Sequence, residues 1–144
     1  MLSLSSASAA EQDVSSQAAS SAEEPTTEIP TAAVKVDGET LFTVRGVSAL
    51  PAEKRAQMIA DRIRDVAKDR RFDIQNLQLT DAQSSSQILA GKQVVVTVFD
   101  ADARLEGVDR QTLGRAYLLR IQETIATYRQ ERQPRVLVLH TLLA

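Results

Sequence analysis

The one histidine of this chain, His140, stands inside an apolar run from Val136 to Leu143, and that setting argues against the chemistry a histidine usually brings. A Ser-His-Asp arrangement needs a base within reach of a nucleophile, and no Gly-x-Ser-x-Gly elbow accompanies His140. A lone histidine is a poor basis for a metal site, and a count of 0 Cys removes thiolate ligands, thiol nucleophiles and disulfides together. His140 therefore reads as structural. Phosphate-cradling glycine loops are absent too, because the five glycines are dispersed at 38, 46, 91, 107 and 114.

The densest group of acids is Asp100, Asp102, Glu106 and Asp109. A calcium loop would want an acidic or amide residue at 104 and glycine at 105, where the chain has Arg104 and Leu105. The favoured reading is a turn whose Asp side chains bond their own backbone and cap the next helix. Paired-carboxylate acid/base chemistry lacks an accompanying sugar-binding aromatic. Lys68, Arg70 and Arg71, with Arg55, Arg62 and Arg64 before them, make the best basic patch, but Asp61, Asp65 and Asp69 interrupt it. A solvated helix face is expected there, with contact to anionic lipid or an acidic partner as the functional alternative. No catalytic, cofactor-binding or metal-binding residue is assigned, and no cofactor or small molecule is implied.

The elements that position these residues follow from periodicity. Val34 and Val36 alternate with polar residues, Asp37-Gly38 is a two-residue hairpin signal, and Leu41 to Arg45 resumes the strand pattern. Pro51 opens a helix in which Ala52, Ala56, Ile59, Ile63 and Val66 share one face, while Lys54, Arg55, Asp61, Arg62, Arg64, Asp65 and Lys68 fill the rest of the wheel. Short strands are expected over Ile74 to Leu79 and Gln87 to Leu89. The run Val94-Val95-Val96, with Val98 and Phe99, then predicts a strand in a central position buried on both sides, or on one side with an oligomer partner. Asp109 caps a second helix carrying Leu113, Tyr117, Ile121, Ile125 and Tyr128 on one face until Pro134. The order ββαβββα predicts an α+β fold, a small antiparallel or mixed sheet with two helices on one face and an optional terminal strand.

Composition bounds the function. With 43% hydrophobic and 25% charged residues the chain is a globular protein with a single core, expected over residues 33–134. At 3% aromatic it offers little for stacking on bases, which excludes single-stranded nucleic acid as a partner. Residues 1–32 hold Glu11, Asp13, Glu23, Glu24 and Glu28 with no Lys or Arg, so the rest of a chain of net charge −2 is mildly basic. That leader is too poor in large apolar residues to fold and reads as an acidic tether or the remnant of an export signal, Ala7-Ser8-Ala9 matching a small-x-small cleavage pattern. Residues 135–144 read either as a closing strand or as the start of a transmembrane helix, being too short to span alone.

Two stretches together resemble a known family. Val36 to Gly46 followed by Glu53-Lys54-Arg55-Ala56 is the first. The second is Val96 to Ala103, Glu106-Gly107-Val108 and a helix closing on Tyr128-Arg129-Gln130-Glu131-Arg132. They are similar to the extracytoplasmic N-terminal domain of some bacterial small-conductance mechanosensitive ion channel proteins. The resemblance implies a periplasmic location in the cell envelope and a non-enzymatic accessory role in assembly or gating. It also implies self-association, or attachment to the inner membrane through a longer chain, with Val136 to Ala144 at the first membrane helix. A free-standing soluble interaction module remains the alternative.

Overall fold

A computed structural model describes residues 29–133; the acidic leader, His140 and the terminal apolar run lie outside the described residues. Strand β1 (Thr31–Val36) and β2 (Glu39–Arg45) pair antiparallel through the Asp37-Gly38 turn, where φ is 53° and 81°. Positive φ at both central residues is what a tight hairpin turn requires, and Asp-Gly tolerates it. β1 begins two residues before the expected domain start at 33, so Thr31 and Ala32 belong to the fold and not to the leader.

Helix α1 (Ala52–Lys68) follows, and Ala52, Ala56, Ile59, Ile63 and Val66 are all buried. A three-residue 3-10 turn (Ile74–Asn76), started by Asp73 accepting from the N–H of Gln75, takes the first half of the stretch expected as strand. Then β3 (Leu77–Asp81), β4 (Ser85–Ala90) and β5 (Gln93–Phe99) form a second antiparallel ladder with β4 in the middle. A short helix α2 (Asp100–Glu106) replaces the expected acidic turn and ends at Gly107, whose φ of 69° supplies the left-handed cap. The long helix α3 (Arg110–Glu131) closes the described fold, with Asp109 at its N-cap accepting from the N–H of Thr112 at 2.8 Å.

The α+β class and the ββαβββα order are thus present, with the strands divided between two antiparallel ladders. One core joins them: Val34, Val44, Ile63, Ile88, Val96, Ile121 and Ile125 meet in a single cluster. In the valine strand β5, Val95, Val96 and Val98 are all fully buried in the core cluster, with a register irregularity at Val95. The strand nevertheless lies at the edge of its ladder. One of its carbonyls, that of Thr97, accepts from a side chain of α1.

Candidate functional site

That side chain is Arg55. Sequence periodicity places it on the solvated part of the α1 wheel, and the structure overturns this: Arg55 is 4% exposed. Its position beside Ala56 puts it at the margin of the apolar face, within reach of carbonyls that only the tertiary fold supplies. Nη1 donates to the carbonyl of Arg45 at the end of β2 (2.7 Å) and to Asp102 Oδ1 (2.8 Å). Nη2 donates to the carbonyl of Thr97 on β5 (2.7 Å) and to Asp102 Oδ2 (2.7 Å). The guanidinium also lies over the Phe99 ring, 5.0 Å from its centroid.

Asp102, expected in a backbone-bonding turn, is the fully buried counterpart. Besides the two bonds from Arg55, Oδ1 accepts from the N–H of Arg45 (3.1 Å) and Oδ2 from the N–H of Phe99 (3.0 Å). The Phe99 bond is the half of a capping box that a Phe N-cap permits, since Asp102 is the third residue of α2. Burial alone would raise the Asp102 pKa. Hydrogen bonds from Arg55, Phe99 and Arg45, with the charge of Arg55, outweigh burial and hold the carboxyl below its usual value. The pair therefore ties the end of β2, the Thr97 carbonyl of β5 and the start of α2 to one another.

A second polar hub forms around Arg110, the first residue of α3. It donates from Nε to Ser86 (3.0 Å), from Nη1 to Asp100 (2.8 Å), and from Nη2 to Asp81 (3.1 Å) and the carbonyl of Ala82 (2.8 Å). The Ser86 hydroxyl, the Gln111 amide and Arg110 together pull the Asp81 pKa down to about 2. This hub fastens the β3–β4 turn to the starts of α2 and α3. Asp100, a member of the acidic group, is used here, and Asp109 is used as a cap, so neither converges with Asp102 on one point. Among the described residues no group of three or more His, Asp or Glu is placed to hold a metal ion.

The expected basic patch is divided in the same way. Arg129 donates to the carbonyls of Val66, Ala67 and Asp69 at the end of α1, and Arg70 donates to those of Arg129 and Arg132 at the end of α3. The C-terminus of α1 is capped by an arginine of α3, and that of α3 by Arg70 from the turn just after α1, which offsets two adjacent negative helix ends. Arg132 stacks on Tyr128 (3.7 Å) and pairs with Asp37 in the hairpin turn (3.0 Å). Tyr117, stacked on Phe42 at 3.8 Å, donates to the carbonyl of Thr43, and burial holds its phenol above the usual value.

One open concavity among the described residues is a groove of about 550 Å³ between β1 and α1, lined by Thr31, Ala32, Ala33, Ala56, Ala60 and Arg64 among others. The N–H of Gly46 donates to the carbonyl of Pro30, which sets the phase of the ladder so that Thr31 and Ala33 turn their backbone groups away from β2. Sequence reading missed this edge, since periodicity reports which face of a strand is buried and says nothing of which edge is paired. Among the described residues no helix is long and apolar enough to cross a membrane. No curated protein and no solved structure matches the chain. A family model does, over residues 33–128, and the chain belongs to that family, described as Domain of unknown function (DUF8459).

Proposed function

We propose that this domain is non-catalytic and acts by contact, as a periplasmic accessory domain of a mechanosensitive-channel-like membrane protein that biases its assembly or gating. The observation that carries the non-catalytic part is the saturation of Asp102. Its two oxygens accept four hydrogen bonds, so proton transfer there would first require dismantling the join between the ladders. The location rests on the resemblance, whose signature residues turn out to hold one another: Asp37 with Arg132, and Arg45 and Arg55 with Asp102. An accessory domain shifts a channel equilibrium only through unequal contact with its states. The open β1 edge favours a second reading, a free-standing module that binds an extended segment by strand addition.

Fractionation of the native, full-length gene product separates the two. The accessory reading expects the protein in the membrane fraction, released by detergent and not by high salt. Recovery as a freely soluble monomer would remove the channel role and leave the module. Turnover abolished by Asp81→Asn, in a variant that keeps its fold, would remove both.

A further inference from the structure

From the phase of the β1–β2 ladder and the unlike charges at the two ends of the groove beside it, we infer that the outer edge of β1 is a dimer contact, pairing antiparallel with β1 of a second copy of this chain. The pairing goes beyond both readings of function, and holds for a free-standing domain and for one carried on a membrane protein.

The backbone carries the first step. Because Pro30 accepts from Gly46, Ala32 and Val34 spend their backbone groups on β2 while Thr31 and Ala33 present theirs outward. The carbonyl of Lys35 points the same way, since Arg64 reaches it from the groove at 3.3 Å. Among the described residues no backbone bond engages the outward groups of Thr31 and Ala33, and an edge of this kind is a template for another strand. A two-fold axis at Ala33 sets that residue opposite its own copy and Thr31 opposite the second copy's Lys35, which brings all the outward-facing residues of the strand into pairing. Only the methyl group of Ala33 stands at the axis, so no bulky side chain keeps the strands apart.

Charge selects a second copy over an arbitrary strand. α1 runs beside β1 in the same direction: at one end Gly46 donates to Pro30 and packs on the backbone of Ala52, and at the other Arg64 holds the Lys35 carbonyl. The groove therefore carries Glu53 at its first end and Lys35 with Arg64 at its second, where Asp61 balances one of the two cations. A two-fold axis lays these unlike ends on each other. Arg64 then exchanges the Lys35 carbonyl for the second copy's Glu53, and the two α1 helices lie antiparallel with opposite dipole ends adjacent.

Room for the second copy follows from how α1 is held. One flank of the helix sends Arg55 to the Arg45 and Thr97 carbonyls, beyond the side of β2 that faces β1, and the opposite flank turns Ala56 and Ala60 to the groove. α1 is thus set inboard of β1, and the small side chains toward the edge leave it open to a strand about 4.8 Å away.

A six-residue strand pair with one helix flank is smaller than the standard interface of about 1,600 Å², so a dimer that dissociates in the micromolar range is expected. Sedimentation equilibrium of the full chain, taken up to about 0.5 mM, should show monomer and dimer and nothing larger. Hydrogen exchange locates the contact. The Thr31 and Ala33 amides should gain at least about ten-fold protection from the lowest to the highest concentration, while those of Ala32 and Val34, already bonded to β2, stay unchanged. Ala33→Pro removes an outward N–H and spares the β1–β2 bonds, so it should weaken dimerisation at least about ten-fold with little change in thermal midpoint. Glu53→Arg should weaken it by about ten-fold, and Glu53→Arg/Arg64→Glu should restore it, because the ends of the two grooves again meet with opposite sign. Four results overturn the pairing: a monomer at the highest concentration, an Ala33 amide equally protected at every concentration, open-ended larger assemblies, or a dimer indifferent to both Ala33→Pro and Glu53→Arg.

Discussion

At the scale of single residues the molecule concentrates its cost and its stability in Arg55 and Asp102. Two ions have been taken out of water, and removing one partner strands the other, so Asp102→Ala should lower stability by about 3–5 kcal/mol in urea denaturation. Arg55→Leu/Asp102→Leu should recover part of that loss by removing both charges. Recovery stays incomplete because the carbonyls of Arg45 and Thr97 lose their donor, at about 1–3 kcal/mol for each one left unsatisfied. A double variant no more stable than Asp102→Ala would mean that the charge itself is not what the pair balances.

The same residues set the acid response. Asp102 and Asp81 are both held below the ordinary carboxyl value of 3.8, Asp81 at about 2. A depressed folded-state pKa contributes stability that is fully present above the unfolded value and lost as pH falls through the folded one. Stability should thus be flat from neutrality down to about pH 5 and fall progressively below about 3.8. Asp81→Asn should flatten the portion between 3.8 and about 2, as read from denaturation midpoints across that range. An unchanged slope in this variant would show that Asp81 is not among the groups that titrate on unfolding.

At the scale of elements, the two long helices and the hairpin were legible, and the short helix α2 and the joins between elements were not. Ile59 and Ile63 on α1, and Ile121 and Ile125 on α3, repeat at helical spacing and all face the core; Asp37-Gly38 and Asp109 act locally and are where local chemistry puts them. Arg55 and Arg129 were illegible because their acceptors are carbonyls tens of residues distant, and no spacing rule connects them. Close approach at glycines has the same character. A Cβ at Gly46 would lie 3.0 Å from the backbone nitrogen of Ala52, which cannot yield, so Gly46→Ala should cost about 1–3 kcal/mol. At Gly114 it would meet the tip of Leu79 at 2.9 Å, a side chain that can turn aside. Gly114→Ala should therefore be near neutral, its helix-propensity gain of about 1 kcal/mol offsetting the repacking. Thermal unfolding of the two variants side by side checks the contrast, and equal losses would contradict it.

At the scale of the whole molecule, two small ladders that would each be marginal alone are made into one body by a shared core and by the guanidinium between β2 and β5. This division of labour predicts how the fold comes apart. With the core intact and the pair present, the β1–β2 and β3–β4–β5 amides should open together at the global free energy. In Arg55→Leu/Asp102→Leu the core remains, but the carbonyls of Arg45 on β2 and Thr97 on β5 lose the donor they share. Exchange of the β2 amides should then accelerate more than that of the β4 amides, separating one cooperative unit into two. Native-state hydrogen exchange at several low denaturant concentrations reads the difference directly. Parallel acceleration of both ladders would assign the coupling to the apolar core, and leave the buried pair as a lock on local geometry near α2.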